Sequence, residues 1–227
     1  MQIYTGTAFG KKFEKVKEYE LGIMISTFDL KSFPPEKYFG KVPCALDNGV
    51  FNCYRKGYPF QADLFLKNIA HCYRMGIKLD FIVCPDIMCG GMKSLEYSLM
   101  WARGELITAP NLALVVQDGM RVRDIERDLE DNFTHIFVGG SVEWKWKMVE
   151  EWVEFARAEG LKSHIGQCGK KEYLERAFEL GVDSVDSSSI VRNGTWEIIE
   201  QYQRSKKGVQ KDLFKEGEKE DILSFVQ

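Results

Sequence analysis

A chain of 227 residues with 44% hydrophobic and 13% aromatic content can bury one large core or two small ones. Its formal net charge of -3 and isoelectric point near 5.8 exclude a globally basic nucleic-acid binder, so contact with phosphate must come from local Lys and Arg patches. The opening "MQIYTGTAFGKKFEK" has no apolar signal region and no window reaches about 18 uninterrupted apolar residues, which predicts a cytoplasmic chain with no membrane span.

Short apolar runs alternate with helix-period segments along the chain. The runs are "IYTGTA" from residue 3, "LGIMIS" from 21, "PCALDNG" from 43, "DFIVCPD" from 80, "LALVVQDG" from 112, "HIFVGGS" from 135, "KSHIGQCG" from 162 and "SVDSSS" from 184. Between them, "WKWKMVEEWVEFARAEG" sets Trp144, Met148, Trp152 and Phe155 on one stripe, leaving Trp146 off it and exposed. The next helical segment, "KKEYLERAFELG", turns Tyr173, Leu174, Ala177 and Phe178 inward and ends on Gly181. Nearly all-apolar strands alternating with helices signal a parallel sheet covered on both faces. Eight such units predict a single-domain α/β (β/α)8 TIM barrel over residues 1–203, with a doubly wound open sheet as the alternative. Residues 204–227 read as a charged helical tail.

In such a barrel the carboxyl ends of the strands build the site. Those ends carry Thr5 and Thr7, Ser26 and Asp29, Asp47 and Asn48, Asp86, and then Gln117 and Asp118. The last three supply Gly139 to Ser141, His164 to Gln167, and Asp186 to Ser189. Asp183, three residues earlier on the last strand, is expected before the rim.

Several of these positions have two readings. Asp-Asn-Gly at 47–49 is a turn signal, or it places a general acid or base at a strand end with Phe51 presenting a ring. Asp86 either caps the following helix, which Gly90 and Gly91 delay, or accepts two hydrogen bonds from an amidine edge such as guanine N1–H and N2–H. Gln117 is a solvated strand end or an amide that donates to a base carbonyl. Gly139 and Gly140 make a tight turn or expose backbone N–H groups to a ligand. Of the three histidines, His71, His135 and His164, the last is a site candidate with a structural role as its rival. Arg192 is a candidate phosphate contact, while Lys170 and Lys171 read first as a solvated helix start. The six cysteines have no disulfide-framework spacing and suit a reducing compartment. Cys84 and Cys89 are poorly spaced for zinc, so no metal or other cofactor is predicted.

Taken in order, the strand ends resemble the tRNA-guanine transglycosylases. "GVDSVDSSSIVRNG" is similar to that family's nucleophile segment, with Asp186 on the nucleophile and Arg192, Asn193 and Gly194 at the family's spacing behind it; Val191 replaces a Thr. "LDNGVF" resembles its Asp-Ser-Gly-Gly-Phe/Tyr motif, which implies Asp47 as second catalytic carboxylate and Phe51 as a stacking ring. "DFIVCPD", "VVQDG", "FVGGS" and "HIGQCG" resemble its base-reading segments. These imply Asp86, Gln117, Gly139 and Gly140 on the base, Asn48 beside them, and Ile165 in place of a Met packing on the ring.

The chain departs from the family's tRNA enzymes in having no cysteine after Cys168, hence no Cys-x-Cys-x-x-Cys/His zinc site, and no appended RNA-binding domain is expected. In this it is more similar to the zinc-less DNA-guanine transglycosylase (DpdA-type) branch. The resemblance implies exchange of guanine for a 7-deazaguanine of the preQ0 kind, with DNA as favoured polymer and tRNA as alternative. Crowded carboxylates in one pocket should push at least one pKa upward. The rivals are a non-catalytic partner subunit, a nucleosidase and an unrelated barrel hydrolase or lyase. An additional subunit or a homodimer stays open at this point.

Overall fold

A computed structural model describes residues 1–28, 40–125, 129 and 132–205. Asp29 and most of the expected tail, 206–227, lie outside the described residues. The eight apolar runs are eight strands: β1 (Gln2–Thr5), β2 (Gly22–Ile25), β3 (Cys44–Leu46), β4 (Leu79–Val83), β5 (Leu112–Val116), β6 (Phe133–Val138), β7 (Lys162–Ile165) and β8 (Ser184–Ser187). They pair in parallel in chain order, and β8 returns to β1 to close the barrel. The fold is a (β/α)8 barrel. Around it lie α1 (Lys11–Glu18), α2 (Val50–Lys56), α3 (Ala62–Arg74), α4 (Met92–Arg103), α5 (Val142–Ala158), α6 (Lys171–Glu179) and α7 (Ser188–Asn193), with residues 197–205 also helical. Among the described residues no helix is long and apolar enough to cross a membrane.

The strands read as unbroken apolar runs because both of their faces are covered. Inward side chains Tyr4, Ala45, Phe81, Val83, Ala113 and Val115 fill the lumen, with Met24 and Phe137 against them. Outward ones such as Ile23, Leu46, Ile82, Leu114 and Ile165 join the helices in the larger core. The lumen is therefore packed below and opens only where the strands end.

Two expectations about helices change. Trp146 is buried, not exposed: it stacks on Tyr173 of α6 at 4.8 Å, with the Arg176 guanidinium 5.3 Å from its ring. A barrel helix packs on its neighbour as well as on the strands, so the buried arc of α5 is wider than one stripe and takes in Lys145, Trp146 and Val149. The cap reading of Asp86 also fails, because α4 begins only at Met92, after Gly91 at φ 52°.

Candidate active site

The strand ends surround a cavity of about 960 Å³, within the size range of small-molecule sites. Its floor is apolar, formed by Met24, Val83, Val115 and Phe137. Above that floor Asp47, Asp86 and Asp186 converge from β3, β4 and β8, together with Asn48, Gln117, Gly139 and Gly140. Phe51, Arg55 and Lys56 of α2, Lys12 of α1 and Arg192 of α7 line the same cavity.

Asp186 is the half-buried acid of the last strand, its side chain 17% exposed and so reachable from the cavity. Its Oδ2 lies 3.2 Å from His164 Nε2 and accepts the Gln167 N–H at 3.4 Å. His164 is fully buried beneath it, with Nδ1 2.8 Å from Ser184 Oγ and its ring 4.6 Å from that of Phe137. Gln167 adopts φ 64°, a left-handed conformation uncommon outside glycine, which turns its N–H toward the carboxylate. Both contacts fall on Oδ2, which leaves Oδ1 without a hydrogen-bond partner among the described residues. The structural and site readings of His164 thus merge into one chain, Ser184 to His164 to Asp186. Asp183 is a different case: exposed at the start of β8, it accepts Ser163 N–H at 2.8 Å and Ser163 Oγ–H at 3.1 Å, and it does not line the cavity.

Asp47 follows β3 directly. Burial, then the neighbouring Asp186 and Asp86 charges, push its pKa up to about 7, against the opposing pull of the Gly49 and Asn48 N–H groups. The turn reading of Asp-Asn-Gly holds while Asp47 lines the cavity: Asn48 Oδ1 accepts the Val50 N–H at 2.9 Å at the start of α2. The Asn48 amide donates to Asp86 Oδ1 and to Cys84 O, both at 2.9 Å. Burial raises Asp86 to about 6, the Asn48 bond opposing it. Gln117 Nε2 is 2.6 Å from Ser94 Oγ, 2.9 Å from Ile87 O and 3.4 Å from Asp86 Oδ2. With two hydrogens to give, that amide is engaged within the protein and must turn to meet a base carbonyl.

Gly139 N–H donates to Val116 O at 2.9 Å, so Gly140 is the turn's available backbone donor. Gly140 has φ 76°, and a Cβ there would sit 2.4 Å from Asp118 Oδ2. Asp118 is the brace of this turn, accepting Ser141 N–H at 2.7 Å and Ser141 Oγ–H at 2.5 Å, and it does not line the cavity. On the neighbouring strand, Gly166 lets the β7 end approach closely, since a Cβ would lie 2.8 Å from the Phe137 ring and 3.4 Å from Asp186 Oδ2.

Ile165 is corrected. Its side chain is wholly buried in the outer core, because alternation along β7 sends His164 inward and Ile165 outward; Gly166 and Gln167 line the cavity in its place. Phe51 does line it, 40% exposed, with the Arg55 guanidinium 5.8 Å from its ring. Among the described residues Lys12, Arg55, Lys56 and Arg192 pair with no carboxylate, whereas Lys170 and Lys171 pair with Glu172 and Glu175 at 3.5 and 3.2 Å. The solvated reading holds for those two lysines.

Lys145 is the residue that sequence reasoning missed. Only 2% exposed, it reaches from the first turn of α5 into the cavity and donates to Gly166 O. Burial lowers its pKa, with the Cys168 and Asp186 groups opposing that shift. Comparison with protein-family models and with the curated proteins finds no match to this chain. The chemistry rests on the residues themselves. All six cysteines are free; Cys84 is buried with its thiol on Ser98 O, and Cys89 is exposed.

Proposed function

We propose that this barrel exchanges a guanine base in nucleic acid for a 7-deazaguanine of the preQ0 kind through a covalent Asp186-glycosyl intermediate. The observation that carries this reading is the convergence of Asp47, Asp86 and Asp186 in one cavity, with Asp186 held from behind by His164 and Asp47 lifted to about 7. Two carboxyl groups in unlike environments divide nucleophile from proton carrier, as in retaining glycosidases.

In the first half-reaction an Asp186 oxygen bonds to C1′ while the C1′–N9 bond breaks. N9 takes the electron pair, and the protonated Asp47 supplies a proton to the leaving guanine. In the second, the incoming base gives its N9 proton to the Asp47 carboxylate, N9 bonds to C1′ and the Asp186 ester bond breaks. Two inversions give net retention. A group with a pKa near neutrality suits both directions of that transfer. Asp86 accepts the N1–H and N2–H edge, Asn48 holds it in place, Gly140 and a turned Gln117 face O6, and Phe51 covers the ring. Arg192, Lys12, Arg55 and Lys56 meet phosphates of a strand whose target nucleotide is extruded.

DNA is the favoured polymer on the strength of the resemblance to the zinc-less branch. The test is incubation of wild type and Asp186→Ala with labelled guanine or labelled 7-cyano-7-deazaguanine and, in separate reactions, DNA or tRNA. Label is expected in DNA with wild type alone. Label in tRNA only removes the DNA assignment, and label in neither removes base exchange.

A further inference from the structure

We infer that Lys145 is the specificity-determining residue for the group at position 7 of the incoming base, admitting hydrogen-bond acceptors and rejecting ammonium groups. The inference rests on the base-exchange reading for the pose of the base and on the structure for the lysine. A lysine at this position is doubly disfavoured: it is buried, and it sits in the first turn of α5, at the positive end of the helix dipole. Its ammonium has three hydrogens, and among the described residues only Gly166 O accepts one. Donors held in a cavity at that expense fit an acceptor brought by a ligand.

The order of groups round the barrel says which part of the ligand that is. From β4 onward come Asp86, Gln117, the Gly139–Gly140 turn, Gly166 and Asp186, and Asp47 on β3 completes the circuit. Round the edge of a guanine the order is N1–H, O6, position 7, position 8, position 9 with its sugar, then position 3 and the 2-amino group. Setting the amidine edge on Asp86 and C1′ on Asp186 brings O6 to the ends of β5 and β6. Position 7 then falls between the ends of β6 and β7. Lys145 spans this sector, rooted in the helix after β6 and bonded to the carbonyl after β7.

A nitrile or carboxamide at position 7 takes an N–H from Lys145. An aminomethyl group, charged at neutral pH, meets a like charge there and finds no acceptor in Lys145. Guanine itself, with its own acceptor N7, is accommodated.

The test is calorimetric binding of the free heterocycles 7-cyano-7-deazaguanine and 7-aminomethyl-7-deazaguanine to wild type, Lys145→Met and Lys145→Gln. Wild type is expected to favour the cyano compound by about tenfold or more, the scale of one charge-assisted hydrogen bond, and Lys145→Met to bring the two to near equality. Because the readout is a ratio, a general loss of binding in a variant cancels, and Lys145→Gln, which keeps a neutral donor, is expected to fall between. An unchanged ratio in both variants, or an aminomethyl preference in wild type, overturns the assignment. Wild type binding neither heterocycle overturns both this inference and the base-exchange reading. A Lys145-dependent cyano preference without label entering any polymer keeps the specificity assignment and removes base exchange.

Discussion

The two ends of the barrel use aspartate in opposite ways. At the amino ends of the strands each acid is matched to donors: Asp80 accepts the Tyr4 hydroxyl at 2.7 Å, and Asp183 accepts the backbone and hydroxyl of Ser163. At the carboxyl ends Asp47, Asp86 and Asp186 are crowded into one cavity; burial raises both Asp47 and Asp86 well above the ordinary carboxylate range, and the neighbouring Asp186 and Asp86 charges raise Asp47 further. Residue type is the same at both ends. What differs is that burial and like charge outweigh the donors at Asp47, an arrangement suited to an acid that moves a proton near neutrality.

The contrast is sharpest at β8, where Asp183 just before the strand and Asp186 within it lie three residues apart. Asp186→Ala is expected to abolish exchange, a loss on the order of 10⁴-fold or more as for removal of other covalent nucleophiles, while Asp183→Ala retains turnover. Turnover assays on both variants decide it, and loss in Asp183→Ala with activity kept in Asp186→Ala would reverse the two roles.

Next in size is His164, the buried link between the packed lumen and the mouth. His164→Phe keeps a ring beside Phe137 but removes the contact to Asp186 Oδ2. The expected result is kcat lower by about ten- to a hundredfold, the value of one hydrogen bond to a charged group, with KM unchanged. A fall in thermal stability with kcat intact would make the histidine a packing residue only.

Smaller again is a stability effect at Asp47. Its folded pKa of about 7 lies above the unfolded carboxylate value of about 3.9, so its ionised form is disfavoured by folding and stability is lost as pH rises from about 4 through about 7. Asp47→Asn is expected to lose exchange, to raise Tm at pH 8 by a few degrees and to change it little at pH 4. Equal Tm for wild type and variant at pH 8 would show that water, not protein, surrounds the carboxyl.

The barrel was legible because strands covered on both faces leave unbroken apolar runs, and the acids were legible because each directly follows such a run. Ile165 was misplaced since one step along a strand exchanges lumen for outer core, and the "HIGQCG" pattern does not say which residue of the pair turns inward. Trp146 and Lys145 were missed for a shared reason. A one-stripe reading of α5 sees only its contact with the barrel, whereas burial of Trp146 comes from Tyr173 on the adjacent helix, and that of Lys145 from a reach over the strand ends to Gly166 O after β7. Asp86 was legible as a strand-end acid facing the cavity but its partners were not, because Asn48 and Gln117 come to it from separate strand ends.

The central claim is that the mouth acid of β8 forms a covalent bond to the sugar. The most direct measurement is intact-protein mass spectrometry of enzyme mixed with a guanine-containing single-stranded DNA oligonucleotide in the absence of incoming base, followed by peptide mapping. The account predicts a protein–oligonucleotide adduct that has lost one guanine, maps to Asp186 and is absent in Asp186→Ala. An adduct that persists in Asp186→Ala, or maps to another residue, would contradict it.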